Sequence, residues 1–227
     1  MAEQRAAFFD LDGTLTDDRT WKGILGYFQS HRLRRGTHAL FLAIHYPQYA
    51  AHRLGLVGVA AFRRNWAAHL SWYFRGYTLE QGQAVWDWAV EHFFSAHWRP
   101  ETRRILEQHR QAGDLVMLVS SAPHPLVERV AREVGADHAL GTRFEVRDGR
   151  FTGRSVPPAC SDEAKGILAI QYLQQHGLEV DLQASFAYAD SIADLPLLTL
   201  VGRPVAVYPD ESLKSIAHQR GWRIVPE

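Results

Sequence analysis

Asp10 and Asp12 stand two residues apart at the end of the first apolar run, Ala6-Ala7-Phe8-Phe9-Asp10-Leu11-Asp12-Gly13-Thr14. On an extended backbone that spacing puts both carboxylates on one side. Side by side they repel, and one would ordinarily stay protonated. A hard divalent cation such as Mg²⁺ removes that penalty, because it prefers oxygen ligands. The pair therefore suggests a nucleophile, a neighbouring acid/base and a metal. Alone it is equally consistent with two exposed carboxylates shaping a turn, so the elements around it have to decide.

Residues 5–10 read as a buried strand broken by Gly13 and Thr14. Residues 15–98 lack strand-like alternation and carry apolar and aromatic residues at helical spacing. From about residue 100 the pattern changes. A helix over Glu101 to Gln111 stops near Gly113, and Leu115 to Val119 is a continuous apolar run, as in a buried parallel strand. A helix from Pro125 to Val134 ends at Gly135. Phe144 to Val146 and Arg150 to Thr152 flank Asp148-Gly149 as a hairpin. Asp162 to His176 reads as a helix closed by Gly177. Ser185 to Ala189 is a strand, Ile192 to Leu200 a short helix, and Pro204 to Val207 and Arg223 to Val225 are strands. This alternation predicts an α/β fold, a doubly wound Rossmann-like parallel sheet with a helical insertion after its first strand.

Such sheets bind ligands beyond the carboxyl ends of their strands. Asp10 and Asp12 end the first strand there, Ser120 the second, and Asp190 the strand 185–189. Asp194 follows four residues later, and Lys165 lies near the start of a helix. Each has a bland alternative. A serine after a strand is often a helix cap, Ser191 to Asp194 has the spacing of a capping box, and a helical lysine is usually solvated. Their order and placement together are hard to explain as caps.

Composition narrows the function class. With 227 residues the chain can bury one large core and a smaller unit. Lys+Arg and Asp+Glu balance at 25 each, so no basic field argues for nucleic acid. Cys160 is the single cysteine, which excludes an intramolecular disulfide and fits a reducing compartment. Neither a signal peptide nor a membrane span is expected, so the expected location is cytoplasmic.

Asp10-Leu11-Asp12-Gly13-Thr14, Ser120, Lys165 and Asp190-Ser191-Ile192-Ala193-Asp194 resemble motifs one to four of the haloacid dehalogenase-like (HAD) hydrolase superfamily. The helical insertion resembles its C1 cap. Phe144 to Gly153 and Pro158 to Lys165 resemble the phosphoserine-phosphatase-like subfamily, IB. The resemblance implies a catalytic core over 1–16 and 99–227 and a cap over 17–98. It implies a phosphomonoester hydrolase in which Asp10 is the nucleophile and Asp12 the general acid/base. Mg²⁺ would be held by Asp10, the Asp12 carbonyl and Asp190, with Asp194 completing the site. Ser120, Ser121 and Lys165 would hold the phosphoryl oxygens. The carboxylate at position 12 favours hydrolysis, because HAD ATPases carry Thr there and the dehalogenases also lack it.

The insertion should set selectivity. Phosphoserine phosphatases carry Glu where this chain has Arg19, a Gly pair where it has Ser121-Ala122, and Asn where it has Ala193. The expected substrate is therefore a small phosphomonoester other than phosphoserine, read by Arg19 and Trp21. Six of the seven tryptophans (Trp21, Trp66, Trp72, Trp86, Trp88, Trp98) fall in or beside the cap, mostly as its core. Trp66, Leu70 and Tyr73 share one helical face. Arg32, Arg34, Arg35, Arg53, Arg63, Arg64 and Arg75 accompany the aromatics. That leaves open a second substrate class, lipid phosphates resembling phosphatidylglycerophosphate, with peripheral membrane contact. A phosphotransferase and a non-catalytic binding module remain as alternatives. His31, His38, His45 and His52 recur every seven residues but are expected to be broken up by Gly36 and Pro47 rather than to form a metal stripe.

Overall fold

The computed structural model describes residues 4–53 and 59–226. The side chains of 52–61 lie outside that description, and with them those of His52 and Arg53. The central strand is β1 (Ala6–Phe9), four small or aromatic residues with no exposed side chain. It is flanked in parallel by β2 (Leu115–Pro123) and β6 (Phe186–Ala189). With β3 (His138–Thr142), β7 (Arg203–Val207) and β8 (Arg223–Val225) the sheet runs β3-β2-β1-β6-β7-β8, all parallel. The antiparallel hairpin of β4 (Phe144–Arg147) and β5 (Arg150–Ser155) stands apart from it. The expected doubly wound α/β fold is what the chain adopts.

The two-residue period of the strands divides the core. Ala6, Phe8, Leu115, Met117, Ala187 and Ala189 face α7 (Glu163–Gln175), α8 (Leu195–Leu198) and α9 (Glu211–Arg220). Ala7, Phe9, Val116, Leu118 and Tyr188 face the other way. There they meet α5 (Pro100–Gln111), α6 (His124–Val134) and the helices between β1 and β2. Both faces are buried, which is why these strands read as apolar runs rather than alternating ones.

Among the described residues, the segment between β1 and β2 contains helices and no strand. It comprises α1 (Thr20–Ser30), α2 (Arg35–Arg53), α3 (Val59–His69) and α4 (Leu79–Trp88), with short irregular helical turns. Thr78 caps α4 in a reciprocal capping box with Gln81. The hairpin holds this layer through Phe151, which packs against Phe74 and so close to Gly82 that a Cβ there would meet the ring at 2.6 Å. Asp148 and Gly149 turn the hairpin with φ of 50° and 71°, as a tight two-residue turn requires.

Five expectations need correction. The strand β3 went unread because Ala139-Leu140-Gly141 carries no β-branched signal. The helix α9 was not foreseen, although Asp210 caps it from the Leu213 N–H. The strand β2 does not stop before Ser120 but runs to Pro123 past a register shift. Gly36 and Pro47 do not break the histidine segment, since both lie inside α2. The carbonyl that Pro47 leaves without an N–H is that of Ala43, on the exposed side where water can reach it. The break falls earlier, between Ser30 and Arg35, where Arg32 and Arg34 take φ of 55°. Nor do Trp66, Leu70 and Tyr73 share a single α-helix, because α3 ends at His69 and Leu70–Phe74 is a 3₁₀ turn.

His45 is fully buried on α2, and its Nε2 faces His69 Nδ1 at 3.1 Å. Burial, and then the neighbouring His69, hold His45 down to about 4. An unfolded histidine takes up its proton near 6.5. Between those values the unfolded chain binds a proton that the folded one refuses, so stability falls as pH drops from about 6.5 toward 4. Urea midpoints measured across this range should fall more steeply for the wild type than for His45→Phe, and equal slopes would show that the imidazole charges without cost.

Candidate active site

The site forms where three adjacent parallel strands end. Asp10 follows β1 directly, and its N–H still donates to Tyr188 O at 2.9 Å, so the ladder fixes its backbone. Asp190 follows β6, on the neighbouring strand. The loop after β1 turns through Gly13, at φ 94°, where a Cβ would stand 2.0 Å from Asp190 Oδ2. Only glycine lets the two strand ends come this close.

Lys165, in the first turn of α7, reaches into this cluster although it is 155 residues from Asp10. Its Nζ donates to Asp10 Oδ1 at 2.6 Å and pairs with Asp194. Thr14 Oγ1 donates to the other Asp10 oxygen at 3.3 Å. Both oxygens of Asp10 are thus oriented. Ser191 Oγ accepts from the Ala193 N–H, but the Asp194 carboxylate turns to Lys165 rather than back to the cap. The capping-box reading of 191–194 therefore does not account for Asp194.

Four carboxylates, Asp10, Asp12, Asp190 and Asp194, face two cations, Lys165 and Arg19. Burial would lower Lys165, but Asp10 and Asp194 more than reverse this and keep it charged. Burial and then Asp10 push Asp12 up to about 7, against the Thr20 N–H and hydroxyl and Arg19. Burial and Asp10 push Asp190 up to about 8. Asp194 rises to about 6, chiefly through burial. With all four carboxylates ionised the cluster would lack two positive charges, the charge of one divalent cation; without that ion, protons on the raised carboxyls make up the difference.

The donor set suits such an ion. Carboxylate oxygens of Asp10, Asp190 and Asp194 lie within 4.8 Å of one another, and Asp190 Oδ1 is buried without a hydrogen-bond donor. All are hard oxygen ligands. The expected contribution of Asp12 is its carbonyl, because its side chain is engaged elsewhere. Thr20 N donates to Asp12 Oδ1 at 2.8 Å and Thr20 Oγ1 to Oδ2 at 3.0 Å, so the start of α1 holds this carboxylate.

These groups floor a cavity of about 590 Å³ walled by Trp21, Leu42, His45, Tyr46, Tyr49, Phe62, Trp66 and Leu70. Trp21 meets Trp66 edge-on at 5.2 Å. Asp10, Asp12, Arg19, Ser121, Lys165, Asp190 and Asp194 all line the cavity. Ser120 does not. It is fully buried, its Oγ accepting the Ala122 N–H at 3.2 Å, and Ser121 and Ala122 line the wall instead. Three contributors were missed. Thr20 looked like an ordinary helix start, although a threonine in that place is itself the signal of a donor pair. Arg63 and Asp162 meet at 2.5 Å across the cavity and tie α3 to the approach to α7. Nothing in their separate surroundings pairs residues 99 apart in the chain. Cys160 is buried, and burial raises its thiol to about 12, which leaves it inert.

Comparison with known proteins identifies the family of the chain. Residues 7–199 match the haloacid dehalogenase-like hydrolase family. The chain is 33% identical over 228 residues to a protein of Mycobacterium tuberculosis (strain ATCC 25618 / H37Rv) named as a phosphoserine phosphatase, covering 96% of this chain and 70% of that one. It is 30% identical over 230 residues to a histidinol-phosphatase of Neisseria meningitidis serogroup C (strain 8013), covering 96% and 97%. A crystal structure of a protein of unknown function from Bordetella pertussis Tohama I superposes with a TM-score of 0.81 at 27% identity, covering 99% of both chains. A substrate-bound phosphoserine phosphatase shares the fold at 17% identity, with a TM-score of 0.63 and coverage of 100% and 95%. The chain belongs to the haloacid dehalogenase-like hydrolases.

Proposed function

We propose that this chain, a phosphoric monoester hydrolase of that family, is a Mg²⁺-dependent phosphatase that cleaves a small-molecule phosphomonoester through an aspartyl-phosphate on Asp10. The observation that carries the reading is the floor of the cavity, where an oriented aspartate, a buried lysine and three further carboxylates meet at adjacent strand ends. Asp10, the Asp12 carbonyl and Asp190 would hold the ion, with Asp194 beside them. When bound, Mg²⁺ supplies the two missing charges and lets an anionic phosphoryl group approach a carboxylate.

The residues then divide the reaction. An Asp10 oxygen forms a bond to phosphorus as the ester P–O bond breaks. The departing oxygen takes its proton from Asp12, whose value near 7 keeps a substantial protonated fraction at neutral pH. Water then attacks phosphorus, Asp12 takes up its proton, and the Asp10–phosphorus bond breaks to return the carboxylate and free phosphate. The Lys165 charge faces the phosphoryl oxygens throughout. Ser121, which lines the cavity, would hold those oxygens, while the Ser120 hydroxyl accepts the Ala122 N–H from within β2.

The aromatic wall favours a leaving group with a flat apolar body. The names of the relatives put histidinol phosphate and phosphoserine first in a panel, and the departures at Arg19 and Ala193 count against phosphoserine. Exposed apolar residues support a second reading, a lipid phosphate. Tyr46 is 72% exposed and Leu40 55%, and Leu42, Tyr46 and Tyr49 line the cavity from α2. Arg32, Arg35, Arg64 and Arg75 are also exposed, whereas Arg34 and Arg63 are engaged internally. No helix of the described residues is long and apolar enough to cross a membrane, so any contact would be peripheral.

Phosphate release from amino-acid, amino-alcohol, sugar, nucleotide and lipid phosphates should require Mg²⁺, vanish with chelator and return on adding the ion. Asp10→Asn should lower it at least about 10³-fold by removing the nucleophile. A variant that keeps a tenth of wild-type turnover would exclude the covalent route. Flotation with anionic vesicles at low salt separates the two substrate classes, since a chain that stays unbound reads a soluble ester. Lys165→Met leaves Asp10 and Asp194 without their buried partner. It should cost about 3 kcal/mol at pH 7. The loss should shrink at lower pH, where Asp194, already raised to about 6 by burial, takes up a proton, and a pH-independent loss would point to packing instead.

A further inference from the structure

Arg19 is the residue at the site with no role in the chemistry above, and its contacts are specific. It immediately precedes α1, and its guanidinium spans two oxygens. Nη1 donates to the Asp12 carbonyl at 2.7 Å, and Nη2 reaches Asp190 Oδ2 at a long 3.4 Å. The Asp12 carbonyl is one of the oxygens that would hold the metal ion, and Asp190 would be a second ligand, whose other oxygen, Oδ1, is buried without a donor. A guanidinium standing on the Asp12 carbonyl and against Asp190 opposes a divalent cation at the same place, since the two charges repel at close range and crowd one carbonyl oxygen. The arginine is less enclosed than Lys165. Its side chain is 50% exposed, the Asp190 contact is near the limit of a hydrogen bond, and Arg19 lines the cavity.

We propose that Arg19 is an internal competitor for the metal site: its guanidinium holds the Asp12 carbonyl and Asp190, and metal binding displaces it into the cavity, where it meets the substrate's leaving group. This rests on the metal reading given above and adds a coupling to it. In the arginine-bound state the fork stabilises the carboxylates and weakens metal binding. In the metal-bound state the displaced cation adds a positive group to an otherwise aromatic wall. Coupling of this kind is reciprocal, so a leaving group bearing an anion or several hydroxyls, which draws Arg19 into the cavity, also tightens metal binding. A ligand that offers Arg19 nothing gains no such help.

The test is the affinity of the substrate-free protein for Mg²⁺ and Mn²⁺, measured by titration calorimetry on the wild type, Arg19→Gln, Arg19→Lys and Asp190→Asn. Circular dichroism melts confirm that each variant is folded. Arg19→Gln should bind about tenfold more tightly than the wild type. Arg19→Lys keeps the charge but loses the fork and should fall between them. Asp190→Asn should lose most binding. In the wild type, the Arg19 Nε–Hε NMR signal, identified by its absence from Arg19→Gln, should shift as Mg²⁺ is added. Unchanged or weaker binding by Arg19→Gln, with the wild type still binding, would overturn the inference and leave the metal reading standing. So would Arg19→Lys matching the wild type while Arg19→Gln tightens, because through-space repulsion alone would then explain the gain. Absence of binding in both the wild type and Arg19→Gln would overturn the metal reading, and this inference with it.

Discussion

The structure depends on one buried contact, the Lys165 ammonium between Asp10 and Asp194. Carboxylates at the ends of neighbouring strands repel, and burial makes each costlier to ionise. A single lysine from α7, on the opposite side of the chain's course, makes the cluster tolerable without neutralising it. Asp12 and Asp190 remain well above the ordinary carboxylate range, through burial and the charge of Asp10. A site left short of positive charge is one that welcomes a cation. Full compensation by the protein would have made the floor inert.

The sheet supplies the precision this balance needs. Asp10 is set by its ladder bond to Tyr188, and Tyr188 is stacked on Phe9 with ring centroids 4.4 Å apart. The Tyr188 hydroxyl meets His109, and His109 meets Asp114, each at 2.7 Å in the buried interior. Strands β1 and β6 are therefore locked both by backbone pairing and by side chains beneath the site. A lysine from a helix can then meet an aspartate from a strand at hydrogen-bond distance, because neither backbone is free to drift.

What was legible in the sequence follows from how local the signal is. Asp10 and Asp12 could be read because a strand end and a two-residue spacing already place both carboxylates. The parallel sheet was legible from its apolar runs, except β3, whose alanine, leucine and glycine pair with β2 without any propensity of their own. Lys165 and Asp194 were legible by their order and placement and drew their roles from the family resemblance, since a lysine on a helix carries no mark of burial. The Arg63–Asp162 pair and the grip of Thr20 on Asp12 depend on how the helical layer docks. Pro47 misled because proline is costly in a helix interior in general, whereas here the orphaned carbonyl faces solvent. Ser120 stands in the expected place by sequence order, but the extension of β2 turns its hydroxyl inward.

The floor and the wall of the cavity therefore differ in what they can select. On the floor Lys165 is engaged with Asp10 and Asp194, and the Asp12 carboxylate is held by Thr20, so the floor is suited to a phosphoryl group and its counter-ion. Most of the wall is aromatic, and it can reward shape and apolar area but not charge. Arg19 belongs to neither set. It touches the floor's oxygens and is exposed enough to reach the space enclosed by the wall. Any dependence of the reaction on the polarity of the leaving group would pass through such a residue, since among the described residues no other cation of the cavity combines an exposed side chain with contacts to the carboxylates that end the strands. Arg63, the other guanidinium in the lining, is held by Asp162, and Lys165 is buried between its two aspartates. In the proposed reading selectivity and metal loading would thus converge on one side chain, because it keeps the exposure that Lys165 lacks and is not paired off as Arg63 is.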